Sequence, residues 1–389
     1  MKRIALAAAL TTATATSALA AGLDRSGQNV LAIFDDPNTL TFSVSHVMPS
    51  VTGTDAGNGS SYDVNGSYTQ VLASYANEIN ETLSYAVIFD QPFGLDLLYG
   101  STAATDALAG TKGDVTSQAL TFLLKHKFND QISAFGGIRA QEVTGDITLN
   151  GGGWAVAFAS NLVPASGTTA ISNDGTTSTF ITGGGYNAKY SSSWGVGYTV
   201  GGAYEKPDIA LRAALTYHSE VTHDTNVIET SGPNTIGNGT GSFQTPQSIN
   251  FDFQTGINES TLLMAGVRWT DWDDFALTPP QLNSNLASIS GEFRYNLGLA
   301  KRFNENFVGL ASLTYEKDGG GATISTLGPV DGQIGLSLGG RYTSGNVNLS
   351  GGVSYTKLGG ANAAIGPTTV ASFTDNSAVG VGFKLEYSF

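Results

Sequence analysis

Cysteine is absent from the 389 residues, which removes disulfides, thiolate nucleophiles and Cys-ligated metals from consideration. Charge is scarce, with Asp, Glu, Lys and Arg making up 13% of the chain. Beyond the first twenty residues no apolar run reaches the roughly 18–20 residues that a membrane helix needs, so any crossing of a bilayer must be made by strands. Only four histidines are present, and there is no G-x-S-x-G elbow, H-E-x-x-H pair or Walker loop. The expectation is a protein that is not an enzyme and holds no metal or cofactor. The formal charge of −14, which becomes −16 once Lys2 and Arg3 are lost with a leader, argues against nucleic acid as a partner.

What is present is small, polar and alternating. The chain has 50 glycines and 10% aromatic residues, a composition that suits a twisted sheet with many loops. Residues 1–20 read as a signal peptide: Lys2 and Arg3, an apolar run from Ile4, then an A-x-A site at Ala18-Leu19-Ala20. Residues 21–38 lack a period of two and read as a short plug, or hatch. From 39 to 389 nearly everything between polar stretches alternates apolar with polar. Six short turns, at Asn80-Glu81, Asn129-Asp130, Lys206-Pro207, Asn258-Glu259, Asn304-Glu305-Asn306 and Ser344-Gly345, alternate with seven long loops rich in Gly, Ser, Thr and Asn.

That count predicts an all-β fold, a 14-stranded antiparallel transmembrane β-barrel. Only a closed sheet satisfies every backbone group in lipid, and short turns on one side with long loops on the other are the habit of outer-membrane barrels. The last strand carries the pattern best, with Val379, Val381, Phe383, Leu385 and Tyr387 interleaved with Gly380, Gly382, Lys384 and Glu386. A soluble sandwich would have shorter strands and one class of loop. Each short turn follows an even-numbered strand, so both termini are expected on the turn side, the periplasm. Terminal Phe389 suggests recognition by the barrel assembly machinery, and the surroundings would be outer-membrane lipid and lipopolysaccharide.

Several stretches resemble the FadL-type outer-membrane transporters of long-chain fatty acids and other hydrophobic compounds. They are Ala21-Gly22-Leu23-Asp24-Arg25-Ser26-Gly27, Ala214 to Val221 (ALTYHSEV), Thr245-Pro246-Gln247-Ser248, Trp269-Thr270-Asp271-Trp272 and Gly351-Gly352-Val353-Ser354-Tyr355. The resemblance implies a barrel closed by an N-terminal hatch. A hydrophobic ligand would rest on an apolar groove among the outer loops, move to a pocket in the barrel and leave sideways into the bilayer beside a kinked third strand. The hatch of that family is longer and carries Asn-Pro-Ala, where this chain offers Asp36-Pro37-Asn38; a more open barrel is the corresponding expectation, and a general diffusion porin or an adhesin are the alternative functions.

Candidate sites follow. Pro92 removes a ladder donor and Gly94 weakens pairing, so strand three should bend from a neighbour; the residues alone allow a bulge or a gap, and the resemblance favours a lateral gate at Pro92, Phe93 and Gly94. The longest loop carries Trp154, Val156, Phe158, Leu162 and Val163, an apolar concentration that reads as a ligand surface or as a plug folded inward. Parity places Arg139, Arg212, Arg268, Arg294 and Arg341, with Lys384, on the polar face, where a guanidinium could hold a carboxylate or pair with acids such as Glu142, Glu220, Glu292 or Glu386. His218 and Glu220 share a face by the same parity and read as a lumen hydrogen-bond network, since two residues without a third ligand do not make a metal site.

Overall fold

The computed structural model describes residues 23–100, 105–159, 170–171, 177–178, 185–287, 289, 291–318 and 323–389; the expected leader lies outside them. Fourteen antiparallel strands follow one another around a closed barrel. They are β1 (Thr39–Asp55), β2 (Tyr68–Asn80), β3 (Leu83–Asp90), β4 (Lys112–Lys127), β5 (Ile132–Leu149), β6 (Tyr186–Lys206) and β7 (Leu211–His218). β8 (Ser248–Asn258), β9 (Thr261–Thr270), β10 (Glu292–Arg302), β11 (Phe307–Glu316), β12 (Gln333–Ser344), β13 (Val347–Leu358) and β14 (Ser377–Ser388) complete the wall. β14 pairs back onto β1 from Thr39↔Ser388 to Ser50↔Ser377, which closes the sheet.

Burial is inverted relative to a protein dissolved in water. Leu120, Phe122 and Leu124 of β4, Ile138 of β5, Val196 and Val200 of β6, and Leu336 and Leu338 of β12 stand exposed on the outside. Thr121, Arg139, Gln141, Thr199, Ser337 and Lys384 are buried within. An apolar belt of this extent is stable only against lipid.

Four of the six short turns share one device. Asn80, Asn129, Asn258 and Asn304 each turn a side-chain oxygen back to accept a backbone N–H at the start of the next strand, from Leu83, Ile132, Ser260 and Phe307 at 2.9–3.0 Å. At the other end the wall is uneven. β4, β5 and β6 run to 16, 18 and 21 residues, whereas β8 to β11 have 10 or 11. About 9–11 tilted residues cross a bilayer, so β4 to β6 project well past it on the long-loop side.

Residues 23–35 lie inside the barrel, and Asp36, Pro37 and Asn38 are exposed ahead of β1. A 3₁₀ turn, Leu31–Phe34, packs Val30 and Ile33 against Ala86, Ile88, Leu123 and Phe135. Phe34 meets Phe135 edge-on at 5.6 Å and carries Lys125 and Arg212 against its ring, each 4.6 Å from the centroid. Next in the chain, burial pushes the Asp35 carboxyl up to about 7 against the pull of Lys384, with Glu386 and Asp36 adding to the rise and Arg212 opposing it. Docked, Asp35 keeps a proton that the free segment releases near the ordinary 3.8. Docking of this end is therefore fully favoured below the ordinary value, and the advantage is lost as pH rises to about 7. Hydrogen exchange in residues 30–36, corrected for intrinsic rates, should show protection falling across that window, and Asp35→Asn should flatten the dependence.

Candidate functional site

Strand three breaks where Pro92 requires it. β3 pairs with β2 only as far as Phe89↔Ala73 and with β4 only as far as Asp90↔Ala119. After Gln91, Pro92 and Phe93 the chain resumes as Gly94–Gly100, which pairs with β4 and with a short strand, Ser61–Asn65, from the first long loop. The edge of β2 from Tyr68 to Leu72 thus loses its ladder to β3. Side chains stand in for the missing backbone bonds: Gln91 Oε1 accepts from Val71 N at 2.8 Å, and Ser117 Oγ accepts from Phe93 N at 2.8 Å while donating to Phe93 O at 2.6 Å. An unpaired N–H or C=O in hydrocarbon would cost several kcal/mol, on the order of a full desolvation, so these substitutions make the break in the ladder tolerable.

The hatch binds this break from within. Arg25 N donates to Pro92 O and Gly94 N donates to Leu23 O, both at 2.8 Å, and Asp24 forms a β-bridge with Phe93. At Gly94 the Arg25 guanidinium comes within 2.5 Å of where a Cβ would stand, and that guanidinium sits 4.1 Å over the Tyr68 ring. Phe93 turns inward onto Trp272, edge-on at 5.6 Å, with Leu23, Phe275 and Ile289 packed around them.

Asp24 is the electrostatic centre. Its carboxylate accepts from Arg268 Nε at 2.6 Å and Nη2 at 3.2 Å, and Arg294 Nη1 lies 3.5 Å away. Burial opposes ionisation, but Arg268 and then Arg294 outweigh it and hold the Asp24 carboxyl below the usual range. Wall residues orient both cations: Ser248 and Asn250 accept from Arg268, and Glu316 accepts from Arg294 at 3.1 Å. Beside them Ser26 donates to Asp90 at 2.5 Å, and Arg139 lies 3.9 Å from the same carboxylate. Removing one partner from such a buried pair costs about 3–5 kcal/mol, so the hatch, short as it is, is held firmly.

Two compartments flank this latch. Toward the short-turn end, a cavity of about 290 Å³ extends from Arg25, Asn29 and Asp35 past Gln70, Val71 and Leu72 of the open β2 edge, with Arg212, Asp252 and Lys384 also on its lining. Toward the long-loop end the lumen is filled by apolar side chains, among them Val47, Tyr62, Leu97, Tyr99, Ile147, Leu149, Trp154, Phe158, Tyr186 and Phe373. An eight-residue helix, Gly152–Ala159, brings Trp154 and Phe158 into this cap, stacked at 5.6 Å. Gly151, at φ +106, and Gly152 and Gly153 let its start press onto the backbone of Thr105 to Ala109, where any Cβ would clash.

The parity expectations map unevenly onto this arrangement. Arg139, Arg212, Arg268, Arg294 and Arg341 all lie on the lumen side, but Arg268 and Arg294 face Asp24 and Arg139 faces Asp90; Arg212 and Lys384 face the cavity. Glu142 and Glu220 are not lumen partners. Glu142 bonds Gln118 and Ser192 in an exposed setting, and Glu220 is exposed while His218 is buried beside Thr199. The strand is interrupted at Ser219-Glu220, which breaks the period of two that had put His218 and Glu220 together. In the long loop Trp154 and Phe158 are buried and Val156 is exposed; Leu162 and Val163 lie outside the described residues. Asp24, Asp90 and the inward role of Trp272 escaped parity because their partners lie far away in the chain.

A family model described as outer membrane protein transport protein (OMPP1/FadL/TodX) matches residues 8–310. No curated protein sequence gives a significant match. Among solved structures, a Pseudomonas aeruginosa FadL homologue superposes with a TM-score of 0.69 at 13% identity, over 92% of this chain and 94% of that one. The Pseudomonas putida toluene transporter TodX gives 0.65 at 14% identity over 92% of each chain, and the Ralstonia pickettii toluene transporter TbuX 0.63 at 13% over 93% and 94%. The closed fourteen-strand barrel is thus shared with these proteins, and the chain belongs to the OMPP1/FadL/TodX family of outer-membrane transport proteins.

Proposed function

We propose that this barrel carries hydrophobic molecules with a polar head, long-chain fatty acids being the leading class, across the outer membrane and delivers them sideways into the bilayer. The observation that carries the reading is the ladder lost between β2 and β3, patched by Gln91 and Ser117, directly beside a cavity that reaches Val71 and Leu72. In this account the long loops face outward and both termini face the periplasm. The overshooting ends of β4 to β6 stand among lipopolysaccharide, and Phe389 serves the barrel assembly machinery.

Capture begins at the apolar cap. Trp154 and Phe158 withdraw the ligand's tail from water, worth about 25 cal/mol per Å² of apolar surface. Val156, exposed on the same helix, extends that surface. Arg212 and Lys384 on the cavity, with Arg139, Arg268, Arg294 and Arg341 around the lumen, offer the positive charge an acidic head requires. The ligand leaves past Pro92, Phe93 and Gly94, so it never crosses the lumen to the periplasm, and its concentration gradient is sufficient drive. A porin for polar solutes fits less well, because the outer lumen is filled with apolar side chains.

Two variants separate the steps. Leu72→Trp places an indole where the cavity meets the open edge; uptake of a labelled fatty acid into proteoliposomes should fall several-fold with the melting of the barrel unchanged, and undiminished uptake would exclude this exit. Phe158→Ser removes half of the stacked pair and should weaken fatty-acid binding to detergent-purified protein. Because truncating a buried aromatic also costs roughly 3–5 kcal/mol, the barrel must first be shown folded by circular dichroism; unaltered affinity in a folded variant would take the cap out of the capture step.

A further inference from the structure

We propose that His46 and Thr69, on the lipid-facing side of β1 and β2, form a docking point outside the barrel for the hydrogen-bonding head of a ligand as it passes from the break beside β3 into the bilayer. The inference rests on the sideways-delivery reading and adds to it a site and a requirement on the ligand's head.

His46 stands where side chains meet hydrocarbon. The outward positions of β1 run Leu40, Phe42, Val44, His46 and Met48, and the β14 partner of His46 is Val381. Leu40, Phe42, Met48 and Val381 are all exposed, as expected of a belt against lipid. An ionisable side chain in such a belt is expensive and marks a functional position unless something else explains it. Directly across the β1–β2 ladder lies Thr69, with His46 Nδ1 and Thr69 Oγ1 2.9 Å apart. Among the described residues Nε2, on the far side of the ring, has no hydrogen-bond partner.

Repair of the ladder does not explain the pair. Gln91 and Ser117 replace backbone bonds lost around Pro92, whereas β1 pairs without interruption on both sides, with β14 from Thr39↔Ser388 to Ser50↔Ser377 and with β2 from Thr39↔Ala76 to Val47↔Tyr68. Position relative to the break does explain it. Thr69 belongs to the Tyr68–Leu72 edge, beyond the last β2–β3 pair at Ala73↔Phe89. Val71, two residues on and therefore on the same face, lines the cavity. The polar pair thus borders the place where the cavity reaches the outer face of β2. A head group entering hydrocarbon there leaves its water and its lumen partners behind, and an unpaired polar group in lipid is costly. The free imidazole nitrogen donates in one tautomer and accepts in the other, so it serves a carboxylic acid or an alcohol, and a hydrocarbon without a head gains nothing from it.

Four histidines in the chain make a direct test practicable. In the full chain labelled with 15N-histidine and placed in lipid nanodiscs, the ring signal of His46 is the one that His46→Leu removes. Dodecanoic acid and dodecanol should each shift its Nε2 resonance, and dodecane should not; with Thr69→Val, which releases the ring, the shift should shrink. In vesicles, His46→Leu should slow transfer of dodecanoic acid several-fold, the worth of one hydrogen bond, and leave transfer of dodecane unchanged. A shift that ignores the head group, or transfer untouched by His46→Leu, overturns the proposal. The two readings fail separately: normal transfer without a head-dependent shift defeats the docking point and leaves sideways delivery standing, while the shift without transfer of any probe defeats delivery and upholds the lipid-facing site.

Discussion

Inside hydrocarbon no water is available to hydrogen-bond a peptide group, and every N–H and C=O must find its partner in the protein. The closed ladder from β1 to β14 is the general answer, and the rest of the molecule can be understood from how that rule is bent beside β3. Pro92 cannot donate, so the ladder cannot run through it. Gln91 and Ser117 then supply side-chain substitutes on either flank, and the hatch supplies backbone partners from inside. The break in the ladder between β2 and β3 comes at small cost because its polar groups are satisfied by something other than the adjacent strand.

The same economy governs the interior. A polar lumen needs its charges matched, and the hatch contributes Asp24 to two arginines that the wall alone would leave in excess. In this short segment buried ion pairs and backbone bonds are concentrated at the start, and an aromatic anchor, Phe34, lies toward the end. The outer half is filled by apolar packing, with Tyr99 donating to Thr326 O and Tyr186 to Glu229. Structure and proposed transport meet at Leu23, Asp24 and Phe93, where apolar cap, ion pairs and wall opening come into contact.

Much of this was legible in the sequence, and the reasons are local. A period of two needs only neighbours along one strand, so β4, with Leu120, Phe122 and Leu124 outward and Thr121 and Lys125 inward, shows its face at once. Turn asparagines act within three residues, which is why strand number and turn positions came out correctly. The reading failed where the chain departs from period two or where partners are far apart. The interruption at Ser219-Glu220 moved Glu220 to the exterior, and beyond Thr270, where β9 stops, Trp272 turns in to meet Phe93. The pairing of Asp24 with Arg268 spans 244 positions, and no local pattern announces it. Nor could composition tell that Trp154 and Phe158 would fold inward; that depends on a backbone contact allowed by Gly151 to Gly153.

The central claim is selective passage of hydrophobic molecules through a barrel that excludes polar ones. Its most direct measurement is transfer of a labelled long-chain fatty acid into vesicles containing the purified protein, with sugar permeation followed in the same preparation. The account predicts saturable fatty-acid transfer with little sugar leakage, because the cap and hatch block an aqueous path while the β2–β3 edge leads to lipid. Rapid sugar leakage without saturable fatty-acid transfer would contradict it and would identify the barrel as a diffusion pore.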